Sequence, residues 1–96
     1  MADTQFLRLS EKWMLAFDPA QWILQRREGA AWRGVSFIGS NKDILWRCLE
    51  ERGIDPTPEA RAVIDAMPFR FLDWLAMPPA RREKAPDIAI LGVAAE

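Results

Sequence analysis

Residues 21–38, QWILQRREGAAWRGVSFI, decide the fold. In residues 21–27 Trp22 and Leu24 fall on one face and Ile23 on the other; in residues 32–38 Val35 and Phe37 fall on one face and Trp32, Gly34, Ser36 and Ile38 on the other. Alternation of this kind predicts two half-buried strands, because successive side chains of a strand leave opposite faces. The connection Glu28-Gly29-Ala30-Ala31 is too short for a parallel crossover, and Gly29 tolerates the positive φ of a tight hairpin. Upstream, Asp18-Pro19-Ala20 supplies a second turn: Pro presets φ, and the Asp carboxylate accepts from the backbone ahead of it. Residues 5–17 alternate through Leu7, Leu9, Trp13, Leu15 and Phe17, as one long strand or two short ones broken at Ser10-Glu11.

Downstream the period changes to that of helices. Ser40 is the predicted N-cap of a helix near 41–52, with Asp43 three residues on, and Ile44, Leu45, Cys48 and Leu49 make its apolar stripe. Gly53 is placed to end it, with Ile54 making the usual hydrophobic contact. Thr57-Pro58-Glu59 opens a second helix near 58–67, which buries Ala60, Val63, Ile64 and Met67 and stops at Pro68. A third, near 69–76, is predicted to carry Phe69, Leu72 and Leu75 on its inner stripe, with Phe71 and Trp74 beside it. The expected architecture is therefore α+β: an antiparallel sheet of three or four strands followed by two or three helices packed on one face. Its expected core is Leu15, Ile23, Val35, Phe37, Ile44, Leu45, Cys48, Leu49, Val63, Ile64, Phe69 and Leu72. Residues 1–96 read as a single domain, with a frayed stretch at 1–4, a Pro/Arg-rich linker at 78–87, and an apolar segment at 88–94. That last segment is expected to add an edge strand or to pair with a second copy of the chain.

Half the residues are hydrophobic, and the net charge is −1. This is a globular balance, not that of a generally basic nucleic-acid binder. No apolar run reaches the length of a membrane helix, so no membrane partner is expected. The single cysteine, Cys48, permits no internal disulfide and fits a reducing, cytoplasmic setting. The chain has no His, which rules out Ser-His-Asp and Cys-His catalysis. Neither a Gly-rich phosphate loop nor a set of thiolate ligands is present. The expectation is no enzymatic activity, no catalytic residue, no metal and no cofactor.

What remains is a surplus of Trp and Arg, the residues favoured as interface anchors. Trp22, Trp32 and Trp46 lie near Arg26, Arg27, Arg33 and Arg47 in sequence, and these seven are the candidate binding residues. A protein partner is the first expectation. Single-stranded nucleic acid stacked on the aromatics is the alternative, in which the chain is a small accessory protein.

The stretch Trp13 to Gly53, WMLAFDPAQWILQRREGAAWRGVSFIGSNKDILWRCLEERG, a pair of hairpins followed by one amphipathic helix, resembles small phage and mobile-element proteins. Among these, the anti-CRISPR proteins are similar in size, single-domain build and lack of catalytic residues. The resemblance implies a phage-encoded inhibitor that binds a host CRISPR effector complex. It carries over no functional residue, since that group shares no sequence signature.

Overall fold

The computed structural model describes residues 3–78. Four strands, β1 (Thr4–Arg8), β2 (Trp13–Asp18), β3 (Gln21–Glu28) and β4 (Ala31–Ile38), form one open antiparallel sheet in the order β1-β2-β3-β4. Residues 5–17 are therefore two strands. Ser10 and Trp13 exchange backbone hydrogen bonds across the reversal (3.2 and 3.4 Å), and the Arg8 guanidinium donates to the carbonyls of Ser10 and Glu11 (2.7 and 2.8 Å). Thr4, expected to fray, already pairs with Phe17. At the β2–β3 turn an Asp18 carboxylate oxygen accepts from the amides of Ala20 and Gln21 at 2.7 and 3.0 Å. The Ala20 amide, followed by the Gln21 side chain, holds the Asp18 carboxyl below its ordinary value of 3.8, against the opposing effect of desolvation.

Both edge strands carry a bulge. Pairing steps from Gln5↔Ala16 to Leu7↔Leu15, leaving Phe6 extra, and from Leu24↔Ser36 to Gln25↔Gly34, leaving Val35 extra. A bulge interrupts the alternation. Beyond Val35 the predicted faces are thus exchanged: Trp32 and Gly34 share a pleat with Phe37, not with Ser36 and Ile38.

Helix α1 (Lys42–Glu51) is capped by Asn41, whose side-chain oxygen accepts from the Ile44 amide at 3.2 Å. Ser40, the predicted cap, instead offers its carbonyl to the Phe71 amide at 2.9 Å. At the other end, Gly53 at φ 68° donates to the Glu50 carbonyl and Ile54 to that of Leu49, so the predicted glycine stop forms in full. Helix α2 (Pro58–Ala66) starts as predicted, with the Thr57 hydroxyl accepting from the Ala60 amide at 3.2 Å. Lys42 spans to its far end and donates to the carbonyls of Ile64 and Asp65 (3.1 and 2.9 Å), where a cation suits the helix dipole.

Leu15, Phe17, Trp22, Leu24 and Ile38 of the strands share one core with Leu45 and Leu49 of α1, Ala60, Val63 and Ile64 of α2, and Phe71 and Trp74 of the five-residue α3 (Phe71–Leu75). Its centre is aromatic. Trp22 meets Phe71 edge-on at 5.3 Å between centroids and Trp74 at 5.8 Å, and Phe17 meets Trp74 at 4.9 Å. Phe6, the bulged residue of β1, joins them at 4.8 Å from Trp74.

Several predicted core residues belong elsewhere. Phe37, Phe69 and Leu72 are exposed, and Val35, Ile44 and Cys48 are half-buried against the core. On α3, Leu75 packs against the core as predicted, but Phe69 and Leu72 do not. Lys42 donates to the Phe69 carbonyl (2.8 Å) and Phe71 to that of Ser40, so the backbone is paired at Asn41–Arg70 and the helix begins at Phe71. Phe71 and Trp74, three residues apart, then turn inward and bury two large rings in place of Phe69 and Leu72. The predicted tail strand at 88–94, and the linker beyond Pro78, lie outside the described residues.

Trp74→Ala should cost about 3–5 kcal/mol, the range for removing a buried aromatic side chain, whereas Leu72→Ala should fall within about 0.5 kcal/mol of wild type. Urea unfolding of both variants checks this assignment. Asp18 adds a pH signature. Its folded pKa is depressed, so its contribution is present above the ordinary value and lost as pH falls through the lowered one. Asp18→Ala should be less stable than wild type at neutral pH, and the gap should close below about pH 4; a gap of constant size in acid would contradict it.

Candidate functional site

The pleat facing away from this core is made by the alternate residues: Met14 and Ala16 of β2, Ile23, Gln25 and Arg27 of β3, and Trp32, Gly34 and Phe37 of β4. Ala16, Ile23 and Gln25 are buried although they stand outside the main core cluster. Their neighbours account for this. Gln5 donates from its amide nitrogen to the Gln25 side-chain oxygen at 2.8 Å, bridging the outer and inner strands. Phe37 is the Cα partner of Ile23, and its ring lies along β4 across Gly34. A Cβ at Gly34 would sit 3.2 Å from the Phe37 ring and 3.1 Å from Ile23, so glycine admits the ring there. Phe37 itself remains 57% exposed.

The seven candidate residues do not form one patch. Trp22 is 0% exposed and lies at the centre of the aromatic core, so it is withdrawn as a contact residue; its indole N–H is buried and has no hydrogen-bond partner among the described residues. Trp32 and Arg27 lie on the outer pleat, where the Arg27 side chain donates to the Gly29 carbonyl at 3.1 Å. Arg26 and Arg33 oppose one another on the other pleat, near the hairpin tip, and both are exposed. Trp46 and Arg47 stand apart on α1. They line an open cleft of about 480 Å³ together with Asp43, Glu50, Ile54, Pro56 and Arg61.

The half-buried tryptophans nevertheless follow one rule. Each has a guanidinium over its ring: Arg8 at 5.0 Å from Trp32, Arg26 at 6.0 Å from Trp13, and Arg61 at 5.6 Å from Trp46. Such contacts contribute about 0.5–1 kcal/mol at exposed sites. Arg8, Arg61 and Trp13 were not among the candidates. Arg8 is distant from Trp32 in the chain, and only the meander brings the two together.

Among the described residues, no group of three or more His, Cys, Asp or Glu side chains is arranged to hold a metal ion, and no helix is long and apolar enough to cross a membrane. The surface offers apolar contact, guanidinium donors and a shallow polar cleft. No family model, curated protein or solved structure matches this chain.

The Arg8–Trp32 contact predicts a measurable coupling. In a double-mutant cycle with Arg8→Ala and Trp32→Ala, the interaction energy should be about 0.5–1 kcal/mol, and additive effects would show that the stacking contributes nothing.

Proposed function

We propose that this protein is a non-enzymatic binding module whose helices cover one face of the sheet and leave the outer pleat to dock on a larger protein. The observation that carries this reading is Phe37. An aromatic side chain more than half exposed, set between Ile23 and Gly34 on an otherwise well-buried sheet, is the kind of residue that anchors an interface. Trp32 stands on the same pleat, with Arg8 and Arg27 as charged groups around it. Aromatic anchors within a polar, Arg-bearing rim are the usual anatomy of a protein interface.

Nucleic acid is less well supported as the partner. A base stacking on Trp32 would first have to displace the Arg8 guanidinium. The resemblance to anti-CRISPR proteins directs the choice of partner to a CRISPR effector complex, inhibited by occupation of its surface and without chemistry.

The test is phage plaquing on a CRISPR-immune host that expresses the protein. Wild type should restore plaques. Phe37→Ser should abolish that protection, since losing a central anchor costs about 2 kcal/mol or more of binding, roughly thirtyfold in affinity, while the variant, which loses the ring's cover over Ile23, remains folded by circular dichroism. No protection against any CRISPR type would remove the inhibitor reading; protection that survives Phe37→Ser would move the interface off this pleat.

A further inference from the structure

We infer that the end of the sheet built from the β1–β2 turn and the β3–β4 hairpin receives an acidic segment of the protein partner, with its carboxylates seated between Arg26 and Arg33. This rests on the binding-module reading above and gives the partner a chemistry. Arg26 and Arg33 are Cα partners on neighbouring strands, so their side chains leave the same pleat side by side. Like charges placed directly opposite weaken a sheet. Among the described residues, little offsets this pair. Glu28 comes no closer to Arg33 than 3.7 Å, with both side chains more than half exposed. The Arg26 side chain has no hydrogen bond or ion pair among the described residues, and its guanidinium lies over the Trp13 ring.

Two further cationic residues are tied to the backbone of this end of the sheet. The Lys12 carbonyl accepts from the Arg27 amide at 2.9 Å, which holds the lysine beside the hairpin strand. Arg52 is tied to the Ser36 hydroxyl and the Val35 carbonyl, both at 3.0 Å, at the bulge that adjoins Arg33 along β4. Against these the turn and hairpin hold only Glu11 and Glu28. Arginine forks match carboxylates bidentately, and an acidic segment would relieve the repulsion that the fold leaves in place. A nucleic-acid strand fits less well. Trp13 and Trp32, the rings nearest to this end, are both covered by guanidinium groups, and the chain as a whole carries a net charge of −1.

The experiment is fluorescence anisotropy of a labelled hexaglutamate peptide titrated with the full chain at low salt, alongside a thymidine oligonucleotide of equal charge. Hexaglutamate should bind more tightly than the oligonucleotide. Arg26→Gln and Arg33→Gln should each weaken it about tenfold, the loss of one charge-assisted hydrogen bond. The melting temperature of Arg33→Gln should stay level or rise, because the repulsion is removed, whereas Arg26→Gln also loses its contact with the Trp13 ring. No peptide binding, or binding unchanged in both variants, overturns the inference. So does tighter binding of the oligonucleotide, which would point to nucleic acid, and so does a fall in both melting temperatures, which would make the pair structural. Phe37→Ser should leave peptide affinity unchanged. Peptide binding by a wild-type chain that gives no plaquing protection therefore marks failure of the broader reading, and protection by a wild-type chain that does not bind the peptide marks failure of this one.

Discussion

The edge-to-face contacts of Trp22 with Phe71 and Trp74 hold the structure together. Trp22 comes from the middle of the sheet, and the other two come from a helix of five residues that could not persist alone in water. Packing supplies what the length of α3 cannot. The backbone pairing of Asn41 with Arg70 delivers the helix to the sheet, and Phe17 and Phe6 close the cluster from β2 and β1. Every strand but β4 thus contributes a ring or its immediate neighbour, and β4 contributes Ile38, the Cα partner of Trp22. In a domain this small, where the buried fraction of surface is limited, a few aromatic side chains carry a large share of the apolar burial.

A second constraint follows from the bulge at Val35. By admitting one extra residue it directs Val35 toward the core while Gly34 and Trp32 join Phe37 on the outer pleat. It also disrupts the regular edge of β4, and Phe6 does the same at the opposite edge, so both open edges are poor templates for another strand. The Arg52 side chain occupies the Val35 carbonyl as well. On the proposed reading, the partner meets side chains of the pleat and of the hairpin end rather than extending the sheet.

What was legible in the sequence was what local chemistry dictates. Gly29 and Gly53 take positive φ where hairpin and helix end require it, Thr57-Pro58 starts α2, and alternation locates β3 and β4. What was not legible depends on contacts distant in the chain. Alternation cannot reveal a bulge, so it groups Trp32 with Ser36 and Ile38 and not with Phe37. A five-residue helix spans too few turns to display a stripe, so Phe69 and Leu72 were expected inside in place of Phe71 and Trp74. Ser40 and Asn41 are both good caps, and the choice between them is made by the Phe71 amide, thirty residues on, which takes the Ser40 carbonyl. The candidate surface suffered most. Proximity in sequence grouped Trp22 with Trp32, whereas the pleat separates them, and the arginine that covers Trp32 comes from β1.

The central claim is that α3 is an integral part of the core through its two rings, although it is short. Native-state amide hydrogen exchange tests it most directly. The amides of Phe71 and Trp74 donate to the carbonyls of Ser40 (2.9 Å) and Arg70 (3.1 Å). If the aromatic cluster binds α3 to the sheet, both amides exchange only through global unfolding, as slowly as those of Leu15 and Leu24 in the central strands. Rapid exchange at Phe71 and Trp74 while the strand amides stay protected would mean that α3 opens independently, and would contradict the account.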